Sequence, residues 1–229
     1  MRHSVTESLL HLDSSADLTR DSVTRQLTAS FADAWRGREN RYRYRDVAAE
    51  PVPLVTPAYA TLGRRVERHG VLPLDKIAAL AETGAEEREW ALTLPLIEEV
   101  LAADALLLGV PMYNFSVPAS LKAWIDRVSF PGAFTDPDTG ESLLRDTKVV
   151  LVLARGGGYG PGTPRHGCDF QTPYLRAHFG KLGVSEVNLS TVEAELTRAG
   201  DIPALAGLED LAAESLANAR AAVAELATG

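Results

Sequence analysis

Three short segments combine residue types that could do chemistry. The first runs Asp13-Ser14-Ser15, through Asp17, Thr19 and Ser22, to Thr24. Clustered hydroxyls at a helix start can donate to an anion beside free first-turn N–H groups. The same residues also suit ordinary helix capping, and Asp13, Asp17 and Asp21 would oppose an anion if they faced it. The second is Pro111-Met112-Tyr113-Asn114-Phe115-Ser116-Val117-Pro118. Tyr113 and Phe115 offer flat surfaces to an aromatic ring, and Asn114 offers both donor and acceptor to its polar edge; packing against the rest of the chain is the competing reading. The third, Ala154-Arg155-Gly156-Gly157-Gly158-Tyr159-Gly160, has glycines that let backbone approach a planar ligand and leave N–H groups free, or that make a plain loop.

Other chemistries find less support. Residues 157–163 have the glycine spacing of a phosphate-cradling NTPase loop but lack its lysine, and no G-x-G-x-x-G follows the first strand. No G-x-S-x-G elbow occurs. His166-Gly167-Cys168-Asp169 has no second ligand cluster to make a metal site. His178 falls on a helical pattern and reads as surface or interface. Arg41, Arg43 and Arg45 alternate as on the solvated side of an edge strand, and Arg64, Arg65 and Arg68 as on a solvated helix face.

The three segments need strands and helices to converge. Short apolar runs alternate with helical patterns, the signature of a parallel α/β sheet. Strands are expected at residues 6–12, 41–47, 105–110, 149–154 and 184–189. Ser22 or Asp21 caps a helix in which Val23, Leu27, Phe31 and Ala34 recur at helical spacing. Residues 58–100 are helical with breaks near Val71-Leu72-Pro73 and Thr83-Gly84, and further helices cover 121–130, 171–182 and 205–227. Pro137-Asp138-Thr139-Gly140 predicts a hairpin excursion within 134–144. The fold expected is α/β: one doubly wound domain over 1–229, a five-stranded parallel sheet with helices on both faces. In such sheets ligands bind outside the carboxyl ends of the strands.

Composition narrows the setting. Of 229 residues, 45% are hydrophobic and 24% charged, which excludes wholesale disorder. The 23 Lys and Arg against 31 Asp and Glu leave a charge of −8, with no field favouring nucleic acid or anionic membrane. The longest apolar run falls well below the ~20 residues of a membrane span. The opening Met-Arg-His-Ser-Val-Thr-Glu lacks the apolar stretch of a secretory leader, and the single cysteine, Cys168, excludes an intrachain disulfide. A cytoplasmic protein is expected.

Ser14-Ser15 … Ser22-Val23-Thr24, then Pro-Met-Tyr-Asn-Phe-x-x-Pro-x-x-Leu-Lys-x-Trp-Ile-Asp over 111–126, then Arg155-Gly156-Gly157, together resemble the FMN-dependent NAD(P)H azoreductase and quinone reductase family. The likeness extends through Gln171, Tyr174-Leu175-Arg176 and Phe179-Gly180. It implies a flavodoxin-like fold, a homodimer, and hydride transfer from NADH or NADPH through FMN to a quinone or azo acceptor by ping-pong kinetics. By the same resemblance Ser15, Ser22, Val23 and Thr24 would hold the FMN phosphate. Met112, Tyr113, Asn114 and Phe115 would line the ring and ribityl chain, with Ala154, Arg155, Gly156 and Gly157 on the ring's other side. Backbone N–H groups near Asn114 and Gly156–Gly157 would stabilise charge on the reduced ring. Ala154 stands where related sequences often carry a hydroxyl, and the helical region around 58–83 is longer than the family suggests. A flavin reductase, a reductase of one aromatic metabolite and a flavodoxin-like carrier are the competing readings.

Overall fold

The computed structural model describes residues 6–228; residues 1–5, which open the segment read for a leader, lie outside them. Five strands form one parallel sheet in the order β2-β1-β3-β4-β5: β1 (Ser8–Asp13), β2 (Arg41–Asp46), β3 (Ala105–Pro111), β4 (Lys148–Ala154) and β5 (Leu189–Ala194). The helices are α1 (Val23–Arg36), α2 (Pro57–His69), α3 (Leu74–Ile77), α4 (Gly84–Leu101), α5 (Ala119–Val128), α6 (Gln171–Lys181) and α7 (Glu209–Thr228). This is the strand order of a flavodoxin-like sheet. Its connections diverge after β1 and β3, opening a crevice between those strand ends.

Strand residues alternate between two cores. Leu10, Leu12, Leu106, Leu108, Val110, Val149, Leu151 and Leu153 pack with residues of α2, α4, α5 and α6. Leu9, Leu107, Val150 and Val152 pack with Phe31 and Trp35 of α1 and with Val223 of α7. Burial on both faces explains the unbroken apolar runs of β3 and β4. The breaks foreseen in the helical stretch are real. Gly70 ends α2 with φ at 85°, Pro73 precedes α3, and Thr83 caps α4 by accepting from the Glu86 N–H.

Two expectations are corrected. The last strand lies at Leu189–Ala194 rather than 184–189, the earlier residues forming a 3₁₀ turn at Glu186–Asn188. Val187 misled the reading: it is 88% exposed, whereas Leu189, Val192 and Ala194 are buried against the sheet. The hairpin excursion reduces to one antiparallel bridge, Thr135 to Ser142, closed by a turn at Gly140.

Candidate functional site

The β1 segment ends at the carboxyl edge of the sheet, and its exit is fixed by β3. Gly109 of β3 has no Cβ to obstruct Asp13; a methyl group there would lie 2.3 Å from the Asp13 Oδ1. Asp13 therefore lies buried across β3, accepting from the Thr28 hydroxyl at 3.0 Å and the Tyr44 hydroxyl at 3.0 Å. Burial and the Asp13 charge push the Tyr44 phenol up, so it stays a donor. Ser14 then turns the chain, its N–H and hydroxyl both donating to the Gly109 carbonyl. Arg25 clamps the loop from α1 by donating to the carbonyls of Ser15 at 2.7 Å and Asp17 at 2.9 Å, while pairing with Asp46.

What this loop leaves unused is more informative. Ser22 occupies the N-cap of α1, yet its hydroxyl caps no first-turn N–H and meets only the Thr24 hydroxyl, at 3.3 Å. The Ser15 hydroxyl makes no hydrogen bond among the described residues. Ser15, Ser22 and Thr24 are all buried, and no acidic residue lies in the first turn of α1. Val23 begins the helix between them. Asp13 is already engaged by the Thr28 and Tyr44 hydroxyls. Asp17 and Asp21 are exposed, and hydrogen bonds from Thr19 hold the Asp17 carboxyl below its usual range. Such a donor set suits a phosphate monoester.

The β3 exit is a tight hairpin. Tyr113 and Ser116 exchange both backbone hydrogen bonds, at 2.9 and 3.0 Å, around Asn114 and Phe115 with φ at 48° and 71°. Positive φ at both central residues is the pattern of a type I′ turn. Asparagine tolerates this region, but phenylalanine costs about 1 kcal/mol or more there, and such strain persists only where surroundings impose it. Here they do: Phe115 accepts from the Phe170 N–H, and the Tyr113 hydroxyl accepts from the Ala16 N–H at 3.0 Å. That last bond ties the β3 exit to the hydroxyl loop. Met112 donates to the Ala154 carbonyl at 2.8 Å, joining it to the β4 exit.

Of the β4 residues, Ala154 ends the strand, and Arg155 departs from the sequence reading. Its side chain is buried in a carboxylate cluster, pairing with Asp169 and Glu193 at 2.9 Å and Glu195 at 3.0 Å, and reaching Gln171 and Thr172. Its peptide donates to the Ala194 carbonyl and accepts from Thr197. Only the backbone of Arg155 is left to line a ligand. Gly156 and Gly157 leave room for other side chains: a Cβ on them would meet Arg198 at 3.3 Å and Arg165 at 2.9 Å. Sequence reasoning also missed Tyr159, which is buried and turned edge-on to Phe115 at 6.4 Å.

Residues outside these loops resolve as follows. Arg43 and Arg45 pair with Glu99 of α4, and Arg65 with Glu82 and Glu86, so these arginines join elements rather than merely facing solvent. Arg127, fully buried, pairs with Glu89 and holds the carbonyls of Pro53 and Leu54 in the loop after β2. His178 is half-buried and stacked beside Tyr174, with burial pushing its imidazole down to about 4. Among the described residues, no three His, Cys, Asp or Glu are grouped to hold a metal ion, and no helix is long and apolar enough to cross a membrane.

Residues 7–216 match the family model described as a flavodoxin-like fold. The FMN-dependent NADH:quinone oxidoreductase of Nocardia farcinica is 41% identical over 202 residues, covering 87% of this chain and 88% of the relative. The namesake from Kineococcus radiotolerans is 38% identical over 222 residues, covering 96% and 97%. The chain belongs to this family. In keeping with the family's fold, the azoreductase structure from Bacillus anthracis str. Sterne superposes with a TM-score of 0.75 at 21% identity, over 96% of this chain and 98% of that one.

Proposed function

We propose that this family member holds FMN at the β1/β3 crevice and couples oxidation of NADH to reduction of quinones, with azo compounds as further acceptors. The observation that carries the reading is the set of buried hydroxyls at the start of α1, with Ser22 at the N-cap but capping nothing. Relatives at 41% and 38% identity named for FMN and NADH:quinone chemistry support it.

Ser15, Ser22, Thr24 and the first-turn N–H groups, including that of Val23, would hold the phosphate. Each hydrogen bond to the charged group contributes roughly 1.5–3 kcal/mol. Met112, Tyr113, Asn114 and Phe115 would meet the ring and ribityl chain, with the backbone of Ala154, Arg155, Gly156 and Gly157 opposite. Bound FMN supplies a ring that accepts hydride from NADH and passes two electrons to the acceptor. The chain's own part is orientation: the strained turn at Asn114–Phe115 and the pinned Arg155 peptide fix two walls before any ligand arrives. Backbone N–H groups on both walls favour negative charge on the ring, and solvent provides the acceptor's protons.

The reading extends to a single flavodoxin-like unit over 1–229 whose helical segment around 58–83 shapes the acceptor entrance. It extends also to a cytoplasmic homodimer. Exposed Leu18, Leu54 (75% exposed), Phe115 and Phe170 are apolar surface that a second copy would cover.

The test is anaerobic spectroscopy of the purified protein. A yellow protein that NADH bleaches within seconds, and that an added quinone restores, is the expected result. A yellow protein that NADH leaves unbleached would be a carrier, and turnover of free FMN alone would make it a flavin reductase.

A further inference from the structure

Two guanidinium groups beside the proposed ring wall, Arg165 in the loop after β4 and Arg198 in the segment after β5, are used differently from that of Arg155. Arg155 is spent on three carboxylates. Arg165 is exposed and pairs with no carboxylate among the described residues. Its Nη1 donates to the Tyr159 hydroxyl at 3.1 Å, and its guanidinium lies 5.7 Å from the Tyr159 ring centre. Tyr159 in turn meets Phe115, so Arg165 stands at the rim of the aromatic surface that the β3 turn presents. Arg198 lies against Gly156 and is largely exposed, with Asp201 at 3.6 Å.

Two local features accommodate Arg165 there. Gly157 leaves the space that the guanidinium takes, since a Cβ there would fall 2.9 Å from the Arg165 Nη1 and shift it. The cation also lies over the Tyr159 ring, a favourable cation–π placement. The chain as a whole carries −8, and the Arg155 cluster has more carboxylates than cations, so the general field repels anions. An unpaired guanidinium at the mouth of such a site is local counter-charge, suited to a planar carboxylate or sulfonate.

We propose that Arg165, assisted by Arg198, is a specificity-determining residue that favours acceptors bearing a carboxylate or sulfonate on the aromatic ring. This rests on the oxidoreductase reading and names the acceptor class it prefers. The anionic group recognised could instead be a phosphate of NADH, and the experiment separates the two sources.

The measurement is steady-state kinetics of wild type, Arg165→Met and Arg198→Met. The acceptors are 1,4-naphthoquinone and its 2-sulfonate, with the KM for NADH determined alongside. In Arg165→Met, the kcat/KM ratio of the sulfonate to the neutral quinone should fall about fivefold, the upper range for an exposed ion pair. Arg198→Met should lower the ratio less, and Arg165→Lys should restore part of it. An unchanged ratio with a lowered melting temperature would make Arg165 a packing residue and overturn the proposal. So would an unchanged ratio with a raised KM for NADH, which would assign the cation to the dinucleotide. Reduction of neither quinone by wild type would overturn the oxidoreductase reading and this inference with it.

Discussion

The exits of β1 and β4 both carry dense polar chemistry at the same edge of one sheet, and they use it in opposite ways. At the β1 exit Arg25 holds the loop by its carbonyls and Ser14 donates to the Gly109 carbonyl, while the hydroxyls of Ser15 and Ser22 are left with little or no partner. At the β4 exit the conspicuous polar group, Arg155, is consumed by Asp169, Glu193, Glu195, Gln171 and Thr172. Hydroxyls not engaged by the scaffold are free to donate to a ligand beside the first-turn N–H groups, so the first arrangement is poised for one. The second is complete in itself. The β1 exit binds; the β4 exit is a prebuilt wall.

Removing the guanidinium of Arg155 gives the largest expected effect. Arg155→Met leaves the partly exposed carboxylates of Asp169, Glu193 and Glu195 without their cation, and unfolding in urea should show a loss of about 1–3 kcal/mol. A variant as stable as wild type would mean that the β4 exit is not self-sufficient, and the contrast would fail.

Ser22→Ala probes the other side with a smaller effect. Since Ser22 caps nothing, stability should change by no more than about 0.5 kcal/mol, where loss of a working cap costs about 1 kcal/mol. FMN affinity should drop about tenfold, the loss of one hydrogen bond to a charged group. Lost stability with unchanged affinity would return Ser22 to ordinary capping.

Much of this contrast was legible in the residues themselves, because local chemistry produced it. The apolar runs of β3 and β4, the helix start at Ser22 and the helix breaks at Pro73 and Thr83 are punctuated by their own sequence. The hydroxyl loop and the Tyr113–Phe115 turn were visible as residue types. Pairing over long separations was not. Nothing near Arg155 in sequence announces Glu193 and Glu195, and Arg127 meets Glu89 and the carbonyl of Pro53 only after α4 and α5 pack. The type I′ turn was missed because Phe115 is a poor candidate for positive φ; only its tertiary bonds make that conformation affordable. The edge strand β5 slipped because its residues alternate polar and apolar, while the preceding turn carries an exposed valine.

The central claim is that the β1 hydroxyls receive the phosphate of FMN. Fluorescence titration of FMN into wild type and Ser15→Asp, with circular dichroism on both, tests it most directly. Wild type should bind and quench the flavin. The variant should keep its circular dichroism and bind none, because a carboxylate would then face the phosphate. Ordinary FMN binding by a folded Ser15→Asp would contradict the account.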